Sequence, residues 1–210
     1  MEATKPSILN ISGPYAVGKD TMLNAILTAF SKQIHRVGTT TTRPSDPSVD
    51  PSYKTVTEDE FASITSQGKW VINRQIGSNA YGTSIEEIEQ EAASGKICIH
   101  SIYPGEVGAG RLREEFGARL ISVALLPISG SHDQQVEELR RRMTIRGRED
   151  SAIIERKLET QGNQIDYILE NPMVHTREGD MRVFDAVLIN EKLDPTLTVL
   201  IRLFRSRFNV

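Results

Sequence analysis

Cysteine is almost missing from this chain: Cys98 is the only one in 210 residues. A lone thiol excludes an internal disulfide framework and gives no Cys-based metal site. Long apolar runs are missing too. Stretches such as Ile121 to Ile128 fall far short of the roughly 20 residues that span a bilayer. Met1 to Asn10 has neither a basic segment nor an apolar core, so no secretory signal is expected. There is no basic excess: 25 Lys and Arg stand against 28 Asp and Glu, a net charge of −3. That balance argues against nucleic acid as the partner. These absences predict a cytoplasmic protein with neither a membrane nor a nucleic acid as partner, and they leave its oligomeric state open.

What is present is ordinary for a globular protein: 38% hydrophobic and 25% charged residues, at a length that suits one sizeable α/β domain with small insertions. Ser7 to Ile11 reads as a strand, and Asp20 to Gln33 carries Leu23, Ile26, Leu27 and Phe30 at helical spacing. Gly38 to Tyr53 is rich in Thr, Pro, Ser and Asp and is expected to be mostly loop. Thr57 and Glu60 form a capping-box pattern. Trp70 to Ile72 reads as a strand, and Thr83 or Ser84 as the cap of a helix through Ala93 that Gly95 ends. Ile97 to Ile102, Leu120 to Leu126 and Phe184 to Ile189 read as further strands. Asp194 and Pro195 are expected to open a last helix. Strands alternating with helices predict a doubly wound parallel sheet.

The sharpest local signal is Gly13-Pro14-Tyr15-Ala16-Val17-Gly18-Lys19-Asp20-Thr21. Two glycines, four residues between them, then lysine is the phosphate-loop pattern, and it lies between a strand and an amphipathic helix as that pattern requires. Glycines let backbone N–H groups point at an anion, and the helix adds the positive end of its dipole. Lys19 can reach the outer phosphates. The residue after the lysine is usually Ser or Thr, whose hydroxyl binds Mg²⁺. Here it is Asp20, a hard oxygen ligand in its own right; Asp20 is favoured as the metal ligand, with Thr21 as the alternative. Arg140, Arg141, Arg142, Arg146 and Arg148 crowd into nine residues. Such a cluster is either a solvated helix face or a site for a small anion.

From the phosphate loop onward the sequence resembles the guanylate kinases almost end to end. Thr39-Thr40-Thr41-Thr42-Arg43-Pro44 is similar to the stretch that receives the acceptor phosphate in that family. Tyr53 with Val56, Thr57, Glu60 and Phe61, then Asn79-Ala80-Tyr81-Gly82-Thr83-Ser84, resemble its two tyrosine segments. Arg142, Arg146 and Gly147 fall where its lid helix carries arginines, Lys157 where a third one stands, and Asn190 where an asparagine ends the last strand near adenine. The resemblance implies a P-loop NTPase fold with a core of residues 1–37, 95–130 and 183–210. It also implies an acceptor-binding subdomain (38–94) and a helical lid (131–170), leaving a charged loop (171–182). It implies ATP and Mg²⁺ as cofactors and a small phosphate-bearing acceptor. Gly13, Tyr15, Ala16, Val17, Gly18, Lys19, Asp20, Thr21 and Asn190 would hold ATP. Thr39, Arg43, Tyr53, Ile72, Tyr81, Thr83 and Ser101 would line the acceptor site. Lys19, Arg142, Arg146 and Lys157 would stabilise the transferring group. By chemistry alone, Tyr53 and Tyr81 would better suit a packed core with satisfied hydroxyls, and His100 and His132 are assigned to structure.

The departures form a pattern. Ile72 stands where the family reads guanine with glutamate, Ser101 where it has a base-contacting aspartate, and Tyr103 where it has an aspartate near the metal. Asp46 falls near the position of a second phosphate-binding arginine. Much of the phosphate-binding set persists while most of the guanine-reading set is lost, a combination that also resembles the ribose 1,5-bisphosphate kinases of phosphonate metabolism. The expected activity is therefore ATP-dependent phosphorylation of a nucleoside monophosphate or sugar phosphate. Against it stand a catalytically silent protein-binding module and an ATPase without a small acceptor.

Overall fold

The computed structural model of the protein describes residues 5–44 and 52–210. Its core is a five-stranded, all-parallel sheet made of β1 (Ile8–Ser12), β2 (Ile34–Arg36), β7 (Ile97–His100), β8 (Leu120–Leu126) and β11 (Ala186–Ile189), ordered β11-β8-β1-β7-β2. β1 and β8 are buried at every position, as strands covered on both faces must be. α1 (Lys19–Ala29) turns Met22, Leu23 and Ile26 into this core. α7 (Leu193–Phe208) adds Leu200, Phe204 and Phe208, with Phe204 packed on Phe30 at 4.7 Å between ring centroids. This is the expected α/β P-loop fold.

A second, four-stranded sheet inserts between β2 and β7. β3 (Thr39–Thr41), β4 (Tyr53–Thr55), β5 (Trp70–Ile76) and β6 (Asn79–Ser84) take the order β4-β3-β6-β5. α2 (Glu58–Ser66) opens on the expected capping box of Thr57 and Glu60. α3 (Ile85–Ala93) is capped by Ser84, whose hydroxyl accepts from Glu87 N–H. Phe61 stacks on Trp70 at 4.9 Å, and a Cβ on Gly82 would lie 2.8 Å from the Trp70 ring. The glycine of the Tyr-Gly-Thr motif is thus fixed by the close approach of that indole.

After β7, α4 (Arg111–Phe116) leads into β8. The guanidinium of Arg113 is fully buried; it donates to the carbonyls of Gly117 and Leu120 and pairs with Asp185, just before β11. α5 (His132–Arg146) and α6 (Ser151–Glu170) pack together beyond β8, with Leu139, Met143, Ile154, Leu158, Ile165 and Ile168 in the core. Among the described residues no helix is long and apolar enough to cross a membrane.

Several expectations need correcting. Within the stretch from Gly38 to Tyr53, expected to be mostly loop, Thr39–Thr41 is an inner strand of the second sheet; positions 45–51, with Asp46, lie outside the described residues. β5 runs on to Ile76 instead of stopping at Ile72. α1 ends at Ala29 rather than Gln33. α7 starts at Leu193 with no side-chain cap, so Asp194 and Pro195 lie inside its first turn. Residues 171–182 are not a loop. They form an antiparallel hairpin of β9 (Met173–Thr176) and β10 (Gly179–Arg182), in which Asp180 faces His175 at 2.9 Å. The hairpin lies along α4, with Arg177 3.8 Å from Glu115. That is the end of the sheet where β8 begins, whereas the phosphate loop stands where β1 finishes.

Candidate active site

The loop from Gly13 to Gly18 joins the C-terminal end of β1 to the N-terminus of α1. Ala16 at φ 63° and Gly18 at φ 103° both take left-handed backbone, the sharp local turning that lets consecutive N–H groups face one point. Asn190 seals the loop from behind: its side-chain amide donates to the Val17 carbonyl at 2.7 Å, and a Cβ on Gly18 would come within 2.6 Å of that nitrogen. The ammonium of Lys19 curls back over the loop and donates to the carbonyls of Gly13 and Pro14 at 2.7 and 2.8 Å. Burial pushes its pKa down to about 8, and neighbouring Asp20 opposes that shift.

A cavity of about 270 Å³ opens on this loop, lined by Lys19, Asp20 and Thr21 together with Arg142, Arg146 and Arg148 from the far side. The arginine cluster therefore splits. Arg140 and Arg141 engage Glu137 and Glu138 along their own helix, which is the solvated-face role. Arg142 is anchored to Glu138 at 2.7 Å and to the carbonyls of Pro127 and Asn190 at 2.9 and 2.8 Å.

Arg146 and Lys157 are organised by a residue that sequence reasoning had not assigned a role. Glu149 accepts from Arg146 at 3.1 Å, from Lys157 at 2.9 Å and from the Tyr15 hydroxyl at 2.7 Å. The hydrogen bond from Lys157, then that from Tyr15, hold the Glu149 carboxyl down at about 2. Both cations also sit over the Tyr15 ring, at 4.6 and 3.9 Å from its centroid. The Tyr15 N–H donates to Gln161 of α6 at 2.6 Å. Its only sequence signal was the Arg-Gly-Arg-Glu-Asp run, where five charged or flexible residues gave no reason to prefer one.

The predicted acceptor residues come together. Thr39, Arg43, Tyr53, Ile72, Tyr81, Thr83 and Ser101 all line one cavity of about 220 Å³ between the two sheets. The threonines hold Arg43 in place: Thr41 Oγ1 accepts from Arg43 N–H at 3.1 Å and donates to the Ala80 carbonyl at 2.8 Å. Arg43 lies over the Tyr53 ring at 4.7 Å, with Tyr53 set edge-on to Tyr81. Thr83 is buried and lies 3.1 Å from Nε2 of His100, whose pKa burial pushes down to about 4. His100 is thus a neutral wall residue, as assigned. Arg74 and Tyr103 also line this cavity.

A third cavity, of about 410 Å³, links the other two: it shares Asp20 with the first and Thr39, Tyr53 and Ser101 with the second. Asp20 is exposed at that junction. Along this path two polar atoms are buried and have no partner among the described residues, Nε of Arg146 at one end and Nε of Arg43 at the other. Buried donors without acceptors cost about 1–3 kcal/mol each, a cost that an anion at either end would remove.

The family model described as guanylate kinase matches residues 4–207. The guanylate kinase of Alkalilimnicola ehrlichii is 28% identical over 201 residues, covering 93% of this chain and 86% of its own. That of Geobacter metallireducens is 30% identical over 168 residues, covering 77% of this chain and 78% of its own. Among solved structures, the guanylate kinase from Anaplasma phagocytophilum aligns with a TM-score of 0.63 at 19% identity, over 97% of this chain and 86% of that one, a likeness of fold.

Proposed function

The chain belongs to the guanylate kinase family, and from that premise we propose that it is an ATP-dependent phosphotransferase whose acceptor is a small phosphate ester other than GMP. The observation that carries this reading is the pair of unpartnered arginine donors, Arg146 and Arg43, at the two ends of one continuous path. Each end asks for an anion, and the path between them is where a phosphoryl group would cross.

In this reading the Gly13–Gly18 backbone and Lys19 cradle the outer phosphates of ATP. Asn190 keeps a buried, unpartnered Oδ1, an acceptor for a donor group on the nucleotide. Arg43 takes the acceptor phosphate, with the hydroxyls of Tyr53 and Tyr81 as further donors. Arg146 and Lys157, set by Glu149, stabilise charge on the transferring group from above. Arg142 fastens the last strand to the lid helix and lends its charge to the same cavity. No general base is needed, because a phosphate acceptor is already an anionic nucleophile.

The donor set fits Mg²⁺. Asp20 is an exposed carboxylate at the junction, with Thr21 beside it, and Mg²⁺ is commonly held by one or two carboxylates together with substrate phosphates and water. When bound, the ion neutralises phosphate charge.

Guanine fits the acceptor cavity poorly. Its N1–H and N2–H₂ donors would face Ile72, which offers no acceptor, at a cost of about 1–3 kcal/mol. A silent protein-binding module would have no use for a phosphate loop with its lysine and for arginine Nε donors left without acceptors at both ends of a path. Acceptor-dependent release of ADP tests the proposal. It should appear with at least one phosphate ester and vanish in Lys19→Ala. ADP release as fast without acceptor would make the protein an ATPase, and none with any acceptor would leave the binding module.

A further inference from the structure

β5 presents Ile72, Arg74 and Ile76 to the acceptor cavity, residues two apart and so on one face of the strand. Arg74 is half-buried, with its guanidinium 4.1 Å from the centroid of the Tyr103 ring. That ring has a built seat. A Cβ on Gly108 would fall 2.4 Å from the Tyr103 carbonyl and 3.1 Å from the ring, and one on Gly105 would fall 3.2 Å from the ring. Only glycine leaves room there for Tyr103, so the aromatic platform under Arg74 is part of the fold.

Among the described residues, the cavity wall contains Arg43 and Arg74 but no acidic residue. Arg74 forms no ion pair among the described residues; its one recorded partner is the ring. Stacking satisfies the face of a guanidinium and leaves its in-plane N–H donors free. Those donors, partly withdrawn from water, call for oxygen acceptors. Arg43 accounts for the acceptor phosphate, so Arg74 is a second cationic group with nothing yet to bind. The same strand thus offers guanine no acceptor at Ile72 and presents a donor two residues later, at Arg74.

We propose that Arg74 is a specificity-determining residue that reads anionic or carbonyl oxygens on the body of the acceptor, away from the phosphate that Arg43 takes. This rests on the kinase reading for the phosphate end only. The N1–H and N2–H₂ groups of guanine would meet Arg74 donor to donor, and only its O6 and N7 could accept from the guanidinium. A second anionic group, or a base edge rich in carbonyl oxygens, would meet it with complementary charge.

Calorimetric binding to the intact protein separates this from the question of turnover. The ligands are ribose 5-phosphate, whose ring form has neither a second anion nor a carbonyl oxygen, ribose 1,5-bisphosphate, which adds an anion, and UMP, which adds carbonyl oxygens. The wild type should bind the bisphosphate or UMP at least about tenfold more tightly than ribose 5-phosphate. In Arg74→Ala and Arg74→Gln that preference should shrink to within about threefold, with ribose 5-phosphate affinity unchanged. Arg74→Lys should keep a preference for the bisphosphate, where charge suffices, and lose one for UMP, where the planar fork is needed. A preference that survives in Arg74→Ala and Arg74→Gln overturns the proposal, as does an equal loss for all ligands. Binding as predicted with no ADP formed would count against the kinase reading alone.

Discussion

The Tyr15 hydroxyl donates to Oε1 of Glu149 over 2.7 Å, so the phosphate loop is bonded directly to the segment joining α5 to α6. Through Glu149 the same contact reaches Arg146 and Lys157. A residue of the loop that would grip ATP therefore sets the position of the cations that would act on it.

Glu149→Gln should lower stability by about 1.5–3 kcal/mol at neutral pH, the scale of a hydrogen bond to a charged group. The folded Glu149 carboxyl is held at about 2, below its ordinary 4.5. Its stabilisation is therefore fully present above about 4.5 and is lost as pH falls from there toward about 2. Denaturant unfolding of both proteins across that range checks this. The gap between them should close toward the acid end; a gap independent of pH would mean the carboxylate charge is not what matters. The variant should also lower kcat more than it weakens ATP binding, because the cations it orients act on the transferring group.

Lys19 gives a second pH signature, in the opposite direction. With its pKa pushed down to about 8, the free enzyme loses the ammonium as pH rises through that value. The profile of kcat/KM for ATP should fall on its basic side near pH 8. The contribution of Lys19 to stability should rise with pH between about 8 and 10.5, because there the unfolded chain holds a proton that the folded one has released. Activity and this part of stability move apart only if the ammonium is needed for catalysis and not for folding. A kcat/KM profile flat to pH 9.5 would remove the titrating lysine from the mechanism.

Asp20 sits where the two cavities meet. Asp20→Ala should raise the Mg²⁺ concentration needed for half-maximal activity by about tenfold or more, and Asp20→Ser should recover part of it, because a hydroxyl is also a hard oxygen ligand. Titration of activity with Mg²⁺ measures both. The same midpoint in all three proteins would assign the metal to Thr21 or to the substrates alone.

Much of this site was legible because its residues come in locally ordered runs. The phosphate loop is contiguous, β8 is an apolar run from Leu120 to Leu126 interrupted only by Ser122, and the capping box at Thr57 is a four-residue pattern. The acceptor residues came from the family likeness, and all of them reached one cavity. What stayed hidden depends on pairing at a distance. Asn73, Arg74 and Gln75 are polar, so the β5 strand seemed to stop at Ile72; only its ladder with β6, from Asn73 opposite Gly82 to Ile76 opposite Asn79, carries it on. Arg74 was lost with that extension. The β9–β10 hairpin has four-residue strands with charged side chains and no apolar alternation, so nothing local separates it from a loop. Glu149 needed the fold to bring Tyr15 and Lys157 to it across 134 and 8 residues of chain.

The central claim is that a guanylate kinase scaffold here phosphorylates something other than GMP. It is tested most directly by kcat/KM for ATP-dependent phosphorylation of GMP, dGMP, AMP, CMP, UMP, dTMP and ribose 1,5-bisphosphate, measured side by side with wild-type protein. Ile72 in place of a carboxylate predicts that GMP falls at least about fivefold below the best acceptor, the low end of what unpaired donors cost. GMP with the highest kcat/KM of the set would contradict it.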